Sequence, residues 1–263
     1  MHTSKTPIIS LTTDFGEADG YVGIMRGVIL NICPQATLTD LSHAIPPQDV
    51  QAAAFILYQS FDYYPAHTVH CVVVDPGVGS KRRGIAVRTD HGIFVGPDNG
   101  VFSLVLNAAQ VNVQEAVTLT NPAYQLAEVS RTFHGRDVFA PAAAHIAKGT
   151  PLSRLGPPAI NLVRLAMGEP AKKESCRVMH IDHFGNLILN ITTKNLDHPD
   201  HVAFAYGGVV IKTVRQTFAD VAEGELLAYV GSTKQHLELA VRNGSAAQKL
   251  GAKVGDLIKI LED

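Results

Sequence analysis

The sequence predicts an α/β protein of two domains, an N-terminal α/β domain with a mainly parallel sheet and a smaller C-terminal all-β barrel. Three observations carry this. Up to about residue 150, apolar runs of strand length alternate with segments of helical period. After about residue 166 the helical period is lost, and short apolar runs follow one another between Gly, Asn and Asp. Between the two textures lies Gly168-Glu-Pro-Ala-Lys-Lys-Glu174, a polar stretch bearing Gly and Pro. The expected domains are 1–166 and 175–263.

Pro7–Thr13 is a short apolar run that stops at Asp14-Phe-Gly16. Val22, Met25, Val28, Ile29 and Ile32 then recur at helical steps, and Pro34 ends that helix. Ala36–Leu41 reads as a strand and Asp49–Tyr58 as an Ala-rich helix. Thr68–Val74, dense in Val, is the clearest buried strand, and Asp75-Pro-Gly-Val-Gly79 forbids its continuation. Strand, helix, strand, helix, strand is the pattern of a parallel sheet covered on both faces. Gly84–Arg88 and Ile93–Val95 predict a hairpin around Asp90-His-Gly92. A helix is expected from Arg136 or Asp137 to Lys148, provided Pro141 falls in its first turn. The C-terminal strands are expected at Arg177–Ile181, Leu187–Thr192, Val202–Tyr206, Val209–Val214, Leu226–Val230, Leu237–Val241 and Asp256–Leu261.

The chain has 263 residues, 46% of them hydrophobic and 17% charged, which supports a proper core and excludes a disordered chain. A formal net charge of -2 lacks the basic excess that phosphate neutralisation demands, so no nucleic-acid partner is expected. The longest apolar run, Ala52 to Tyr58, is too short to span a bilayer, and no membrane partner is expected. The N-terminus lacks a signal-peptide pattern, and Cys33, Cys71 and Cys176 form no C-x-x-C pair. A reduced, cytoplasmic protein is the expectation.

Polar residues placed directly after buried strands are where open α/β sheets present ligands. Asp14-Phe-Gly-Glu-Ala-Asp19 closes the first strand. Asp14 reads either as an Asx turn with a helix cap or as a carboxylate accepting from a ligand diol. Asp75-Pro-Gly-Val-Gly-Ser-Lys-Arg82-Arg83 is either a rigid turn or a loop whose Asp and Arg pair across a close backbone approach. In Arg131-Thr-Phe-His134-Gly-Arg136-Asp137, the His lies at a helix mouth, as a cap or as a catalyst. His180-Ile-Asp182-His183-Phe184-Gly-Asn186 could hold metal, but its spacing matches no defensible ligand set and fits a bulged strand entering a turn. The pairs His67/His70 and His198/His201 are weaker metal candidates still. No P-loop, dinucleotide fingerprint, nucleophile elbow or H-E-x-x-H is present.

Together, Thr12-Thr-Asp14-Phe-Gly16, Val74-Asp75-Pro-Gly-Val-Gly79, Thr132-Phe-His-Gly-Arg136-Asp and Ile181-Asp-His-Phe-Gly-Asn186 are far more specific than any one of them. With Gly231-Ser232 and Leu237-Glu-Leu-Ala-Val-Arg-Asn243, the chain resembles the S-adenosylmethionine hydroxide adenosyltransferases, relatives of the fluorinase and chlorinase. The resemblance runs from about Ile8 to Leu261. It implies an α/β domain, a β-barrel domain and a homotrimer whose sites lie between subunits. It also implies attack of water or hydroxide on C5′ of S-adenosylmethionine, releasing adenosine and L-methionine without a cofactor or a metal.

The resemblance carries a catalytic set onto Asp75, Arg82 and His134, with Arg83 the neighbouring alternative to Arg82. It implies that Asp14 binds the ribose diol, that Asp19 supports that loop, and that Phe133 and Phe184 flank the nucleoside. Asn186 and the chain at Arg242 and Asn243 would meet adenine, while Asp182 and Ser232 would hold the methionine amine and carboxylate. Thr233 departs from the pattern, since the fluorinase has Arg there. The fluorinase also has Tyr in place of Asp75 and Ser in place of Gly135, and a carboxylate at that point repels halide. Three other readings compete with hydrolysis: a halogenase, a metal-dependent hydrolase using Asp14, Asp75, His134 and Asp182, and a nucleoside-binding sensor with negligible turnover.

Overall fold

The computed structural model describes residues 6–166, 174–196, 202–212 and 214–262. Two compact units divide the chain, Met1–Leu165 and Ala166–Asp263. The polar stretch at 168–173 and the pair His198/His201 lie outside the described residues.

The first unit is built around β1 (Ile8–Thr13), α1 (Tyr21–Ile32), β2 (Thr37–Ser42), α2 (Val50–Ser60), β3 (Val69–Val73), β4 (Gly84–Thr89), β5 (Ile93–Pro97), α3 (Ser103–Asn107), β6 (Val113–Thr118) and α4 (Ala140–Ala147). Its sheet has the order β2-β1-β3-β5-β4-β6. β2, β1, β3 and β5 run parallel, and β4 lies antiparallel to both β5 and β6.

The Val-rich run is buried throughout because both faces of β3 are covered. Cys71 and Val73 meet Met25 and Ile29 of α1 and Ala143 of α4 in one core, whereas Val72 and Val74 meet Ala53 and Leu57 of α2 and Val105 of α3 in the other. In β1 the alternate residues Ser10 and Thr12 are also buried, and Ser10 Oγ lies 2.7 Å from Nδ1 of His70.

The expected helix at 136–148 starts as a π-turn, Gly135–Phe139, and continues as α4. Pro141 falls among the first two residues of α4 but not in the first turn of the helical segment, since the π-turn runs directly into α4. Asp49 caps α2 by accepting from the Ala52 N–H at 2.9 Å.

The second unit contains β7 (Ser175–Ile181), β8 (Leu187–Thr192), β9 (Val202–Tyr206), β10 (Val209–Lys212), β11 (Val214–Arg215), β12 (Leu226–Val230), β13 (His236–Val241), α5 (Ala246–Leu250) and β14 (Leu257–Glu262). They form a nearly closed, barrel-like sheet of order β10-β9-β14-β7-β8-β13-β12-β11 around Leu187, Leu189, Phe204, Leu237, Leu239 and Ile258. All described pairings are antiparallel except β11 with β12. The run expected as one strand, Val209–Val214, is two elements, and α5 interrupts the otherwise all-β pattern.

Candidate active site

A cavity of about 390 Å³ opens in the first unit, beyond the C-terminal ends of β1 and β3. Asp14, Phe15, Tyr21, Asp75, Phe133 and His134 lie on its wall. Asp14 is neither a local turn former nor the cap of α1. Its Oδ2 accepts from the backbone N–H of Gln48 at 2.7 Å, and the residue capping α1 is Gly20.

The loop bearing Asp14 is anchored from beneath. Thr13 Oγ1 lies 2.9 Å from Nδ1 of His43, whose Nε2 is 3.0 Å from Asp40, and the Gly16 N–H donates to the His43 carbonyl. Asp19 is exposed, one residue before Gly20, and is not among the residues on the cavity wall.

After β3 the chain turns through Asp75–Gly79. At Gly79, φ is +76°, and a Cβ there would collide with the carbonyl oxygen of Arg131. That approach sets the Asp75 loop against the loop bearing Phe133 and His134.

Arg82 bridges the two loops. Its Nε donates to both carboxylate oxygens of Asp75, at 2.9 and 2.8 Å, and its Nη2 bonds Asp75 as well. The same Nη2 donates to Nδ1 of His134 at 2.8 Å. The pair is deeply buried, with side-chain exposures of 6% for Asp75 and 11% for Arg82. Arg83 points elsewhere, to Asp98 and to the carbonyls of Ile160 and Asn161.

A guanidinium can only donate, so Nδ1 of His134 is an acceptor and the neutral ring carries its proton on Nε2. Desolvation pushes the His134 pKa below the usual imidazole value and the Arg82 charge adds to this, while Asp75, Asp137 and the Ser130 backbone act in the opposite direction. Asp137, fully buried, accepts from the Ser130 N–H at 2.8 Å and from Arg136, which orders the loop ahead of His134.

The second unit holds its own cleft of about 440 Å³, lined by Phe184, Asn186, Phe218, Val241, Asn243 and Gly244. Asp182 shapes the turn that carries two of these. Its Oδ1 accepts from the N–H groups of Phe184 and Asn186, at 2.9 and 2.8 Å, and its Oδ2 accepts from the Asn186 amide at 2.8 Å. β7 and β8 shift register just before this point, so a bulged strand does enter a turn here.

Gly185, at φ +83°, sits so close to Ser245 that a Cβ would overlap its side chain. Phe184 is left 73% exposed. Arg242 spends its own backbone groups on Glu225 and Gly224 and its side chain on the Val221 carbonyl, leaving Asn243 on the cleft wall. Ser232 is exposed in the turn after β12 and lies outside that wall. Among the described residues, no three His, Cys, Asp or Glu side chains gather as metal ligands.

Sequence reasoning missed Phe15, Tyr21 and Phe218 as wall residues. An aromatic side chain left exposed, as Tyr21 is at a helix start and Phe218 in a polar turn, was the available signal.

Residues 9–156 match the N-terminal domain of SAM hydroxide adenosyltransferases, and residues 176–259 match the C-terminal domain. The chain belongs to the S-adenosylmethionine hydroxide adenosyltransferase family. A protein of Salinispora tropica named (R)-S-adenosyl-L-methionine hydrolase is 43% identical to this family member, over 98% of each chain. A fluorinase of Actinoplanes is more distant, 27% identical over 97% of each chain. The crystal structure of an uncharacterized conserved protein from Thermotoga maritima superposes on this adenosyltransferase-family chain with a TM-score of 0.88, at 38% identity, covering 96% of this chain and all of that one.

Proposed function

We propose that this protein hydrolyses (R)-S-adenosyl-L-methionine to adenosine and L-methionine. The observation that carries the proposal is the guanidinium of Arg82 held between Asp75 and His134 on the cavity wall. The (R) configuration is taken from the name of the Salinispora tropica relative.

In this reading a water is positioned by Asp75, Arg82 and His134, in line with the C5′–S bond. Its oxygen bonds to C5′ as the C5′–S pair returns to sulfur, turning the sulfonium into the neutral thioether of methionine. The water proton passes to Nδ1 of His134 as Arg82 gives up that bond and keeps those to Asp75. A sulfonium is its own activated leaving group, so neither metal nor cofactor is invoked. Asp14 binds the ribose diol. Phe133, Phe184, Asn186 and Asn243 take the nucleoside, with Arg242 bracing the chain beside Asn243, and Asp182 and Ser232 the amino-acid end. Asp182 would do so with oxygens already engaged by its own turn.

The family resemblance further supports a homotrimer with sites shared between subunits, and Cys33, Cys71 and Cys176, which form no C-x-x-C pair, support a cytoplasmic setting. Among the described residues no helix is long and apolar enough to cross a membrane.

The test is chromatography after incubation with each sulfonium epimer, with and without chelator, chloride and fluoride. Equimolar adenosine and methionine from the (R) epimer, indifferent to all additions, is the expected result. A 5′-halo-adenosine product would make this chain a halogenase. Saturable adenosine binding without product would make it a sensor.

A further inference from the structure

Three aromatic residues on the wall of the first cavity come from separate parts of the chain. Phe15 follows β1, Tyr21 opens α1, and Phe133 precedes His134. Their ring centroids are 5.8 Å apart for Phe15 and Tyr21, 5.8 Å for Phe15 and Phe133, and 5.4 Å for Tyr21 and Phe133. The corresponding interplanar angles are 60°, 76° and 85°. Each ring meets the other two edge to face, so together they make a three-sided aromatic corner beside the cavity. Tyr21, despite touching both partners, stays 47% exposed, so its ring is not consumed by packing.

A ring face carries the negative part of the aromatic quadrupole and attracts cations, most strongly where water is excluded. One of these rings already holds one, since the Arg136 guanidinium carbon lies 5.2 Å from the Phe133 centroid. Among the described residues, the ionisable groups on the cavity wall besides Tyr21 and His134 are the carboxylates Asp14 and Asp75. Arg82 lies behind that wall, bonded to Asp75 and His134.

We propose that Phe15, Tyr21 and Phe133 form a cation-recognising corner that selects a sulfonium over the neutral thioether that lacks its methyl group. This rests on the function proposed above. If C5′ is attacked from the side of Asp75 and His134, the sulfur one bond away lies within the same cavity. As the C5′–S bond breaks, positive charge leaves sulfur and the corner loses its hold on methionine. Because that charge is already falling in the transition state, the corner favours substrate binding rather than the chemical step.

The experiment is Tyr21→Leu, at a half-exposed first residue of a helix where Leu is readily accommodated, with Tyr21→Phe as the conservative counterpart. Steady-state kinetics are measured on the (R) sulfonium, and calorimetric affinity on the demethylated thioether, S-adenosylhomocysteine. Tyr21→Leu is expected to raise KM about tenfold and change kcat by less than about twofold. Thioether affinity should shift by less than about twofold, and Tyr21→Phe should restore KM. Equal weakening of both ligands, a fall in kcat at constant KM, or no change would overturn the corner. Absence of turnover by the wild-type protein would instead overturn the function on which it rests.

Discussion

Arg82 and His134, separated by 52 residues in the chain, are joined by one hydrogen bond in which the guanidinium Nη2 donates to Nδ1 of the imidazole. Since Arg82 also grips Asp75 through Nε, a single side chain fixes both the carboxylate and the tautomer of the histidine. Arg82→Lys tests this directly. An ammonium cannot span both partners in one plane, so kcat should fall by about a hundredfold, or ~3 kcal/mol of barrier. Adenosine affinity by calorimetry should change little. A comparable loss of both would give Arg82 a structural duty instead.

The pH profile follows from the lowered pKa of His134. The working form is neutral, and protonation at Nδ1 would expel the Arg82 bond. Activity should therefore be flat through neutrality and fall only as pH drops below the ordinary imidazole value of about 6.5. Removing the Arg82 charge raises the His134 pKa toward that value. An NMR titration of His134 in the wild type and in Arg82→Met should show the midpoint move upward in the variant.

His70 links pH to stability rather than to activity. Buried on β3 beside Ser10 and stacked on Phe94 at 5.1 Å, it has its pKa pushed down to about 4 by desolvation. The folded state thus binds a proton less readily than the unfolded chain. Stability is complete above about pH 6.5 and drains away as pH falls toward 4, by up to ~3 kcal/mol. Urea midpoints measured across this window should decline in the wild type and decline less in His70→Gln. Parallel curves would remove His70 as the cause.

Gly185→Ala should damage the second cleft through the backbone. A left-handed conformation costs a non-glycine residue about 1–2 kcal/mol, and the added methyl would overlap Ser245 at the start of α5. Both thermal stability and adenosine affinity are expected to fall. Ser245→Gly in the same chain should return part of each, whereas no recovery would mean that φ alone carries the effect.

The sheet of the first unit was legible at its centre because β3 is buried on both faces. Thr68–Val74 could hardly be anything else once Asp75-Pro-Gly77 stops it. β6 was not foreseen, since Gln114 and Glu115 interrupt its apolar pattern on a half-exposed edge. α3, with five residues, is too short for a helical period to register.

The site was legible where chemistry is concentrated in short motifs, as at Asp75–Arg82 and Thr132–Asp137. It was not legible where three single residues at 15, 21 and 133 converge, because no spacing in the chain encodes that meeting. Choosing between Arg82 and Arg83 required coordinates, since composition and spacing treat the two alike.

That choice makes the parity of the Asp75–Arg83 loop an encoded quantity. Consecutive residues of extended chain aim their side chains to opposite sides, so Arg82 reaches Asp75 and His134 while Arg83 reaches Asp98. Deleting one residue ahead of the pair, such as exposed Lys81, would bring Arg83 into the place of Arg82 and send Gly84 to face Asp98. The loop thus stores a count as well as a composition. An indel there rewires two ion pairs at once, a larger change than replacing the side chain of Lys81.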